Sequence, residues 1–326
     1  MTPDQAIADR IRAPIRHELD LVERELESAF TPDVGLVRAI GEHLLSVKGK
    51  RVRPVLVLLA ARTGTFILEQ AVVAAQAVEL VHTATLLHDD SIDRSHLRRG
   101  LPTVNKIWDD QVSVIMGDHL FCKAFKLLHD NGLGEVASIL ASGSDSMTYG
   151  EMSQMDWRGR FDISEETYLS IIRRKTASLF SSACEAGAIV GGLAGDLRRD
   201  LREYGENIGI AFQIVDDLLD FVGDVGVMGK PVGNDFKDGR ITLPLIVAAR
   251  NASGACASGC PDVRNLIGGD FGRVVDFIRS NGGVEYSIEL AADYARKALG
   301  CLARLEDGPA SRSLALFAEH VARREQ

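Results

Sequence analysis

The sequence predicts an all-α fold: a single-domain helical bundle around a central apolar cavity. Three observations lead there. Apolar residues recur with helical spacing along most of the chain, and no convincing run alternates in the two-residue rhythm of a strand. Pro32, Pro102, Pro261 and Pro309 each fall just before a helix-like segment, where a missing N–H costs nothing. Thr31-Pro32 and Asp162-Ile163-Ser164-Glu165 read as N-terminal caps, and Gly64 and Asn131-Gly132 as C-terminal stops.

In chain order, helices are expected over 3–30, 33–48, 53–63, 69–94, 104–129, 133–158, 165–195, 197–222, 240–250, 262–282, 285–305 and 310–325, with ends good to about 2–4 residues. The longest apolar run, Ala71 to Leu87, carries Gln76, Glu79 and His82, so it reads as a buried helix and not a membrane span. Gly223 to Gly239 is a glycine-rich loop with lysines and aspartates, and Asn251 to Cys260 reads as a flexible surface linker. Beyond two acidic motifs there is no internal repeat, and no shift of composition marks a second domain. The expectation is one domain over 1–326, with a core at 33–250 and C-terminal helices at 262–326.

Bulk properties narrow the function classes. A net charge of −9 argues against a general nucleic-acid binder, so an anionic ligand must be held by local cations. The polar start, Met1-Thr2-Pro3-Asp4-Gln5, shows no signal peptide. The five cysteines are odd in number and scattered, which suits reduced thiols in a cytoplasm. Cys256 and Cys260 are spaced like a metal pair, but no histidine or further cysteine stands close, and a metal role is not expected.

The chemistry lies in two acidic pentapeptides, Asp89-Asp90-Ser91-Ile92-Asp93 and Asp216-Asp217-Leu218-Leu219-Asp220, each following an apolar helical stretch. The first and last aspartates of each are four apart, about 40° of rotation and roughly 6 Å of rise on a helix, so they share a face. Clustered like charges beside apolar residues resist burial unless cations compensate. Hard oxygen ligands that also recruit phosphate oxygens are what Mg²⁺ takes. The pair of motifs suggests two walls of a Mg²⁺–diphosphate site. Cations accompany them: Lys50, Arg51 and Arg53 in Gly49-Lys50-Arg51-Val52-Arg53-Pro54, then Arg98-Arg99, Lys175-Thr176, Lys230, Lys237 and Arg240. Arginine forks grip phosphate oxygens and lysines add point charge.

At these residues the chain resembles the trans-isoprenyl diphosphate synthases of the polyprenyl synthetase family. The likeness runs from Gly49-Lys50-Arg51 through Leu87-His88-Asp89-Asp90, Arg98-Arg99-Gly100-Leu101-Pro102-Thr103-Val104-Asn105, Gly117-Asp118, Gly150-Glu151, Lys175-Thr176-Ala177, Phe212-Gln213-Ile214-Val215-Asp216-Asp217 and Gly229-Lys230-Pro231 to Thr242-Leu243-Pro244. The resemblance implies the isoprenoid synthase type of helical bundle, and a cytoplasmic homodimer whose lipid-like product brings it near membranes. It also implies a Mg²⁺-dependent 1′-4 condensation of isopentenyl diphosphate onto an allylic diphosphate. It places three Mg²⁺ ions on Asp89, Asp93, Asp216 and Asp220, with Asp90, Asp217 and Lys175 also in the catalytic set. Arg98, Lys175, Gln213, Lys230 and Arg240 are implied around the allylic diphosphate. Lys50, Arg53, His82 and Arg99 are implied around the isopentenyl diphosphate, with Arg51 and Thr176 also in the substrate-binding set. Where this chain has Arg240 the family usually has lysine.

The physics of the reaction fits. Breaking the C–O bond builds negative charge on the leaving diphosphate, which cations stabilise, and positive charge on an allylic carbon, which an apolar cavity shields from water. No protein base is obvious, and in the family the departing diphosphate is thought to take the proton. Each residue also has a plainer reading. A lone acidic motif is more often a solvated face, His82 a core histidine, Lys175 a surface lysine, and Gln213 a core hydrogen-bonding group. Asp118 and Glu151 read equally as structural, and Trp108, Trp157, Phe121 and Phe125 as packing.

By resemblance, product length is set near Ala84 and Thr85, one turn before the first motif, with Phe121 as a deeper floor. Small residues there are expected to pass a long chain, heptaprenyl to decaprenyl, of the kind used for quinone side chains. Geranylgeranyl or farnesyl diphosphate is the alternative product. Two other functions compete. A class I terpene cyclase needs neither the second motif nor Lys50, Arg53 and Arg99. A non-catalytic synthase subunit typically lacks aspartates or the arginine pair that this chain retains.

Overall fold

The computed structural model describes residues 3–30, 34–47, 49–223, 233–255 and 271–323. The chain is helical almost throughout. The helix expected over 3–30 is two: α1 (Pro3–Arg12) and α2 (Arg16–Ala29), joined by a 3₁₀ turn at Ala13–Ile15. Pro14 explains the break, because it has no N–H to return to the preceding turn and its ring crowds the carbonyl there. There follow α3 (Gly35–Ser46), α4 (Val52–Ala61), α5 (Leu68–Ile92), the single turn α6 (Val104–Ile107), α7 (Asp110–Asp130) and α8 (Gly134–Asp156). Next come α9 (Glu165–Ile172), α10 (Ser178–Val190), α11 (Gly195–Val222), the single turn α12 (Asn234–Lys237) and α13 (Leu243–Ala255). The chain ends in α14 (Phe271–Ser280), α15 (Gly283–Cys301) and α16 (Pro309–Arg323).

The punctuation residues behave as expected. Ser164 Oγ accepts the Thr167 N–H at 3.1 Å and caps α9, Gly132 takes φ +70 after α7, and Pro309 opens α16. Two departures matter for the site. A hairpin of two-residue strands, β1 (Leu97–Arg98) and β2 (Leu101–Pro102), was too short to leave a sequence rhythm. Between α9 and α10 the helix widens to a π turn over Arg173–Ala177, which carries Lys175 and Thr176. Thr31-Pro32, Lys230, Cys256, Cys260 and Pro261 lie outside the described residues.

The chain falls into two compact units. The first comprises Met1–Ser144, Leu179–Gly205 and Cys301–Phe317. Its axis is α5, packed against α2, α4 and α7. Ala74, Ala75, Ala77, Val78, Val81 and Ala84 of α5 and Leu56 to Ala61 of α4 are fully buried, each large side chain contributing about 1.5–3 kcal/mol. The apolar length of α5 would suffice to cross a bilayer, but 67% of its most apolar window is buried in the protein, as in a core helix. Helix α7 comes close to α5 at Gly117, where any side chain would overlap the His88 ring.

The second unit comprises Asp145–Ser178, Glu206–Gly300 and Ala318–Gln326. Within it α13 packs on α9 and α14. Glu165 at the start of α9 accepts from Arg250 and from the Tyr286 hydroxyl, each at 2.7 Å, and so ties α9 to α13 and α15. The two acidic motifs fall in different units.

Candidate active site

In the first unit the acidic motif is the last turn of α5, with Asp93 as its C-cap. Its members are not equivalent. Asp90 is only 4% exposed and receives a fork from Arg98, Nε to Oδ2 at 2.9 Å and Nη2 to Oδ1 at 2.8 Å. Its backbone carbonyl accepts from the Ser95 N–H at 2.9 Å and Asn105 Nδ2 at 3.2 Å. Asp90 thereby anchors the hairpin that follows the motif, whereas Asp89 and Asp93 are half-exposed. Burial works against the Arg98 charge, but the fork and the charges of Asp89 to Asp93 outweigh it and hold its pKa up.

Beside this motif is a pocket lined by Arg51, Glu79, His82, Arg98 and Arg99, and by His43, whose Nε2 lies 2.8 Å from the Pro102 carbonyl. Arg53 donates from Nη1 to His82 Nε2 at 3.0 Å, which leaves the ring proton on Nδ1. Burial, and then Arg53 and the other arginines, push His82 well below its usual pKa, so it is neutral. Burial brings Arg53 down to about 10, and its Nε is buried without a hydrogen-bond partner. Its guanidinium also lies 4.7 Å over the Phe180 ring. The pocket is therefore lined by three guanidinium groups, Arg51, Arg98 and Arg99, and by the neutral His82, which suits an anion.

Arg51 departs from the expected role. Its donors go to Glu23 Oε1 at 2.6 Å, Glu23 Oε2 at 3.2 Å and Glu79 Oε1 at 2.8 Å, so it works as a frame for the pocket and not as a free diphosphate ligand. Lys50 is exposed, and its carbonyl accepts from Arg12. Ala84 is fully buried, while Thr85 bonds back to the His82 carbonyl at 2.8 Å. Phe121 stacks between His88 and Phe125, with ring centroids 6.2 Å away on each side.

In the second unit the motif lies near the end of α11 and repeats the inequality. Asp217 is 4% exposed and accepts from Tyr168 Oη at 2.7 Å and Gln213 Nε2 at 2.6 Å. Gln213 Oε1 accepts in turn from the Thr176 hydroxyl at 2.7 Å. Both polar ends of Gln213 are thus spent inside the protein. Burial first, and then the Asp235 charge, raise the Asp217 pKa. Asp216 is exposed. Asp220 accepts the Asp235 N–H at 3.1 Å and is pushed up to about 6 by burial and by Asp235. Arg240 Nη1 pairs with Asp235 Oδ1 at 3.1 Å.

Lys175 donates to Gln154 Oε1 at 2.7 Å and pairs with Glu151. The π turn presses its backbone against α8 at Gly150, where any side chain would overlap Lys175. Sequence reasoning missed Tyr168, Gln154, Glu23 and His43, and left Glu151 as structural. The signals were Glu79 as a carboxylate in an apolar run and Tyr168 seven residues before Lys175.

Among the described residues no three acidic, histidine or cysteine side chains form a metal cage of their own. Mg²⁺ asks for less, usually one or two carboxylates completed by water and phosphate oxygens. Asp216 is exposed and Asp89, Asp93 and Asp220 are half-buried, and all four carry carboxylate oxygens, so the residues present fit that ion.

The chain is similar to known proteins over most of its length. The model of the polyprenyl synthetase family matches residues 34–262. A heptaprenyl diphosphate synthase component 2 of Geobacillus stearothermophilus is 36% identical, covering 94% of this chain and 96% of that protein. An all-trans-nonaprenyl-diphosphate synthase (geranyl-diphosphate specific) of Rhodobacter capsulatus is 35% identical over 90% of each. A short chain isoprenyl diphosphate synthase of Methanothermobacter thermautotrophicus is 36% identical over 93% and 94%. The crystal structure of a polyprenyl synthase from Caulobacter crescentus, complexed with calcium and isoprenyl diphosphate, superposes with a TM-score of 0.91 at 36% identity, covering 98% of both chains.

Proposed function

Because the chain belongs to the polyprenyl synthetase family and is a prenyltransferase, we propose that it is an all-trans polyprenyl diphosphate synthase with a long-chain product. It condenses isopentenyl diphosphate 1′-4 onto an allylic diphosphate. The observation that carries the reading is the repeated inequality within the acidic motifs. In each, the central aspartate is buried in protein hydrogen bonds, and the outer pair is the more exposed.

Divalent-metal dependence follows the family and the relative solved with calcium, and Mg²⁺ is the ion we assign. Asp89 and Asp93 would hold it on one motif, and Asp216 and Asp220 on the other. When bound, the metal supplies charge neutralisation for the departing diphosphate. The protein does the rest. Asp90 fixes Arg98, Glu151 and Gln154 fix Lys175, and the neutral His82 fixes Arg53 for the isopentenyl diphosphate. Ala84 leaves room for the growing chain. The enzyme works as a single catalytic domain in the cytoplasm and as a homodimer.

Purified protein incubated with farnesyl diphosphate and labelled isopentenyl diphosphate, resolved by chain length, tests this. The expected result is a heptaprenyl to decaprenyl product. A dominant geranylgeranyl product overturns the long-chain claim, and unconsumed isopentenyl diphosphate favours a cyclase. Two-component relatives exist, as the Geobacillus protein's name records. Activity only after adding a second subunit would refute self-sufficiency.

A further inference from the structure

The Arg99 guanidinium occupies the space that a side chain at residue 49 would fill. A Cβ built on Gly49 lies 2.5 Å from Arg99 Nη1 and 3.1 Å from Cζ and Nη2. Three costs converge on holding the guanidinium there. Arg99 sits at φ +52, followed by Gly100 at φ +78, in the turn joining β1 to β2, where asparagine or glycine is the comfortable residue. A left-handed backbone at a non-glycine residue costs about 1–2 kcal/mol. Burial and the neighbouring charge of Arg98 disfavour its own charge, and its hydrogen bond to the Val47 carbonyl is long, at 3.3 Å. The arrangement places one cation at the wall of the pocket shared with His82, Glu79 and Arg51.

We infer that Gly49 is a positioning residue for isopentenyl diphosphate, its missing side chain admitting the Arg99 guanidinium to the pocket. The inference rests on the pocket assignment above. The φ of Gly49 lies outside the left-handed region, so alanine meets no backbone strain there, and the atoms it displaces are the far end of a flexible side chain. Gly49→Ala therefore leaves the fold intact, and removing backbone freedom even favours the folded state slightly. It moves Arg99, and with it one charge-assisted contact to the substrate.

The test is a double-mutant cycle of Gly49→Ala and Arg99→Ala, read by steady-state kinetics and by equilibrium binding of isopentenyl diphosphate. Gly49→Ala should raise the KM for isopentenyl diphosphate about tenfold, the loss of one charged hydrogen bond. The allylic KM and kcat should stay within about twofold, and the melting temperature should be unchanged or higher. In the Arg99→Ala background, Gly49→Ala should change nothing further. An unchanged isopentenyl KM in Gly49→Ala overturns the inference, as does an equal rise in both backgrounds. If Arg99→Ala itself leaves that KM unchanged, the pocket assignment falls and takes the inference with it.

Discussion

Within the pentapeptide at the end of α5, stability and activity should separate by one residue. Asp90 is buried, and both its oxygens are held by the Arg98 fork. Asp90→Asn keeps the shape and the backbone bonds to Ser95 and Asn105, but removes the charge that pays for burying Arg98. Breaking one side of a buried pair costs about 3–5 kcal/mol. The Arg98 side chain is 27% exposed, so part of its charge is solvated and about 2–4 kcal/mol is the expected loss. At about 2 °C per kcal/mol for a chain of this size, the melting temperature should fall by about 4–8 °C. Asp89→Asn, at a half-exposed position, should stay within about 2 °C of the parent. Its activity should nevertheless fall at least about a hundredfold, because it is assigned to the metal. Thermal unfolding followed by circular dichroism, with chelator and without substrate, reads the first pair of numbers, and isopentenyl incorporation reads the second. An Asp90→Asn protein that melts with the parent, or an Asp89→Asn protein that loses as much stability, would refute the division of labour.

Three further outcomes follow from the same geometry. Tyr168→Phe leaves the buried Asp217 without the Tyr168 hydroxyl and should cost about 1–3 kcal/mol in denaturant unfolding, with equal stability as the contrary result. Ala84→Phe, at a fully buried position, should shorten the product to a few isoprene units at an overpacking cost of about 1–3 kcal/mol; an unchanged product distribution would mean the growing chain does not pass Ala84. His82 has a folded pKa depressed below the unfolded value of about 6.5, so the unfolded chain binds the extra proton first. Its contribution to stability is complete above about pH 6.5 and is lost as pH falls below that toward the folded pKa. His82→Gln keeps an acceptor for Arg53 and should flatten this acid-side decline, and an identical pH profile would exclude His82 as its source.

Much of the fold was legible because helix boundaries are written in local chemistry. Ser164, Gly132 and Pro309 act within their own turns, and the apolar stretch of α5 reads directly as a buried helix. Pro14 carried the signal for the break between α1 and α2, and the sequence reading passed over it. The π turn at Lys175 was not legible, since it depends on the approach of α8 at Gly150. At the site, the sequence marked the acidic motifs and their cations but not which members are spent on the protein. Arg51 finds Glu23 and Glu79, each 28 residues away, and Asp217 finds Tyr168 across 49. Such partners leave no trace in local spacing. The central aspartates look identical to their neighbours in the sequence, and only burial tells an anchor from a ligand.

A crystal structure with Mg²⁺, an unreactive allylic thiodiphosphate and isopentenyl diphosphate tests the account most directly. It should show ions on the outer aspartates of each motif, with Asp90 still on Arg98 and Asp217 still on Tyr168. An ion coordinated by Asp90 or Asp217, or a motif whose outer aspartates bind no ion, would contradict it.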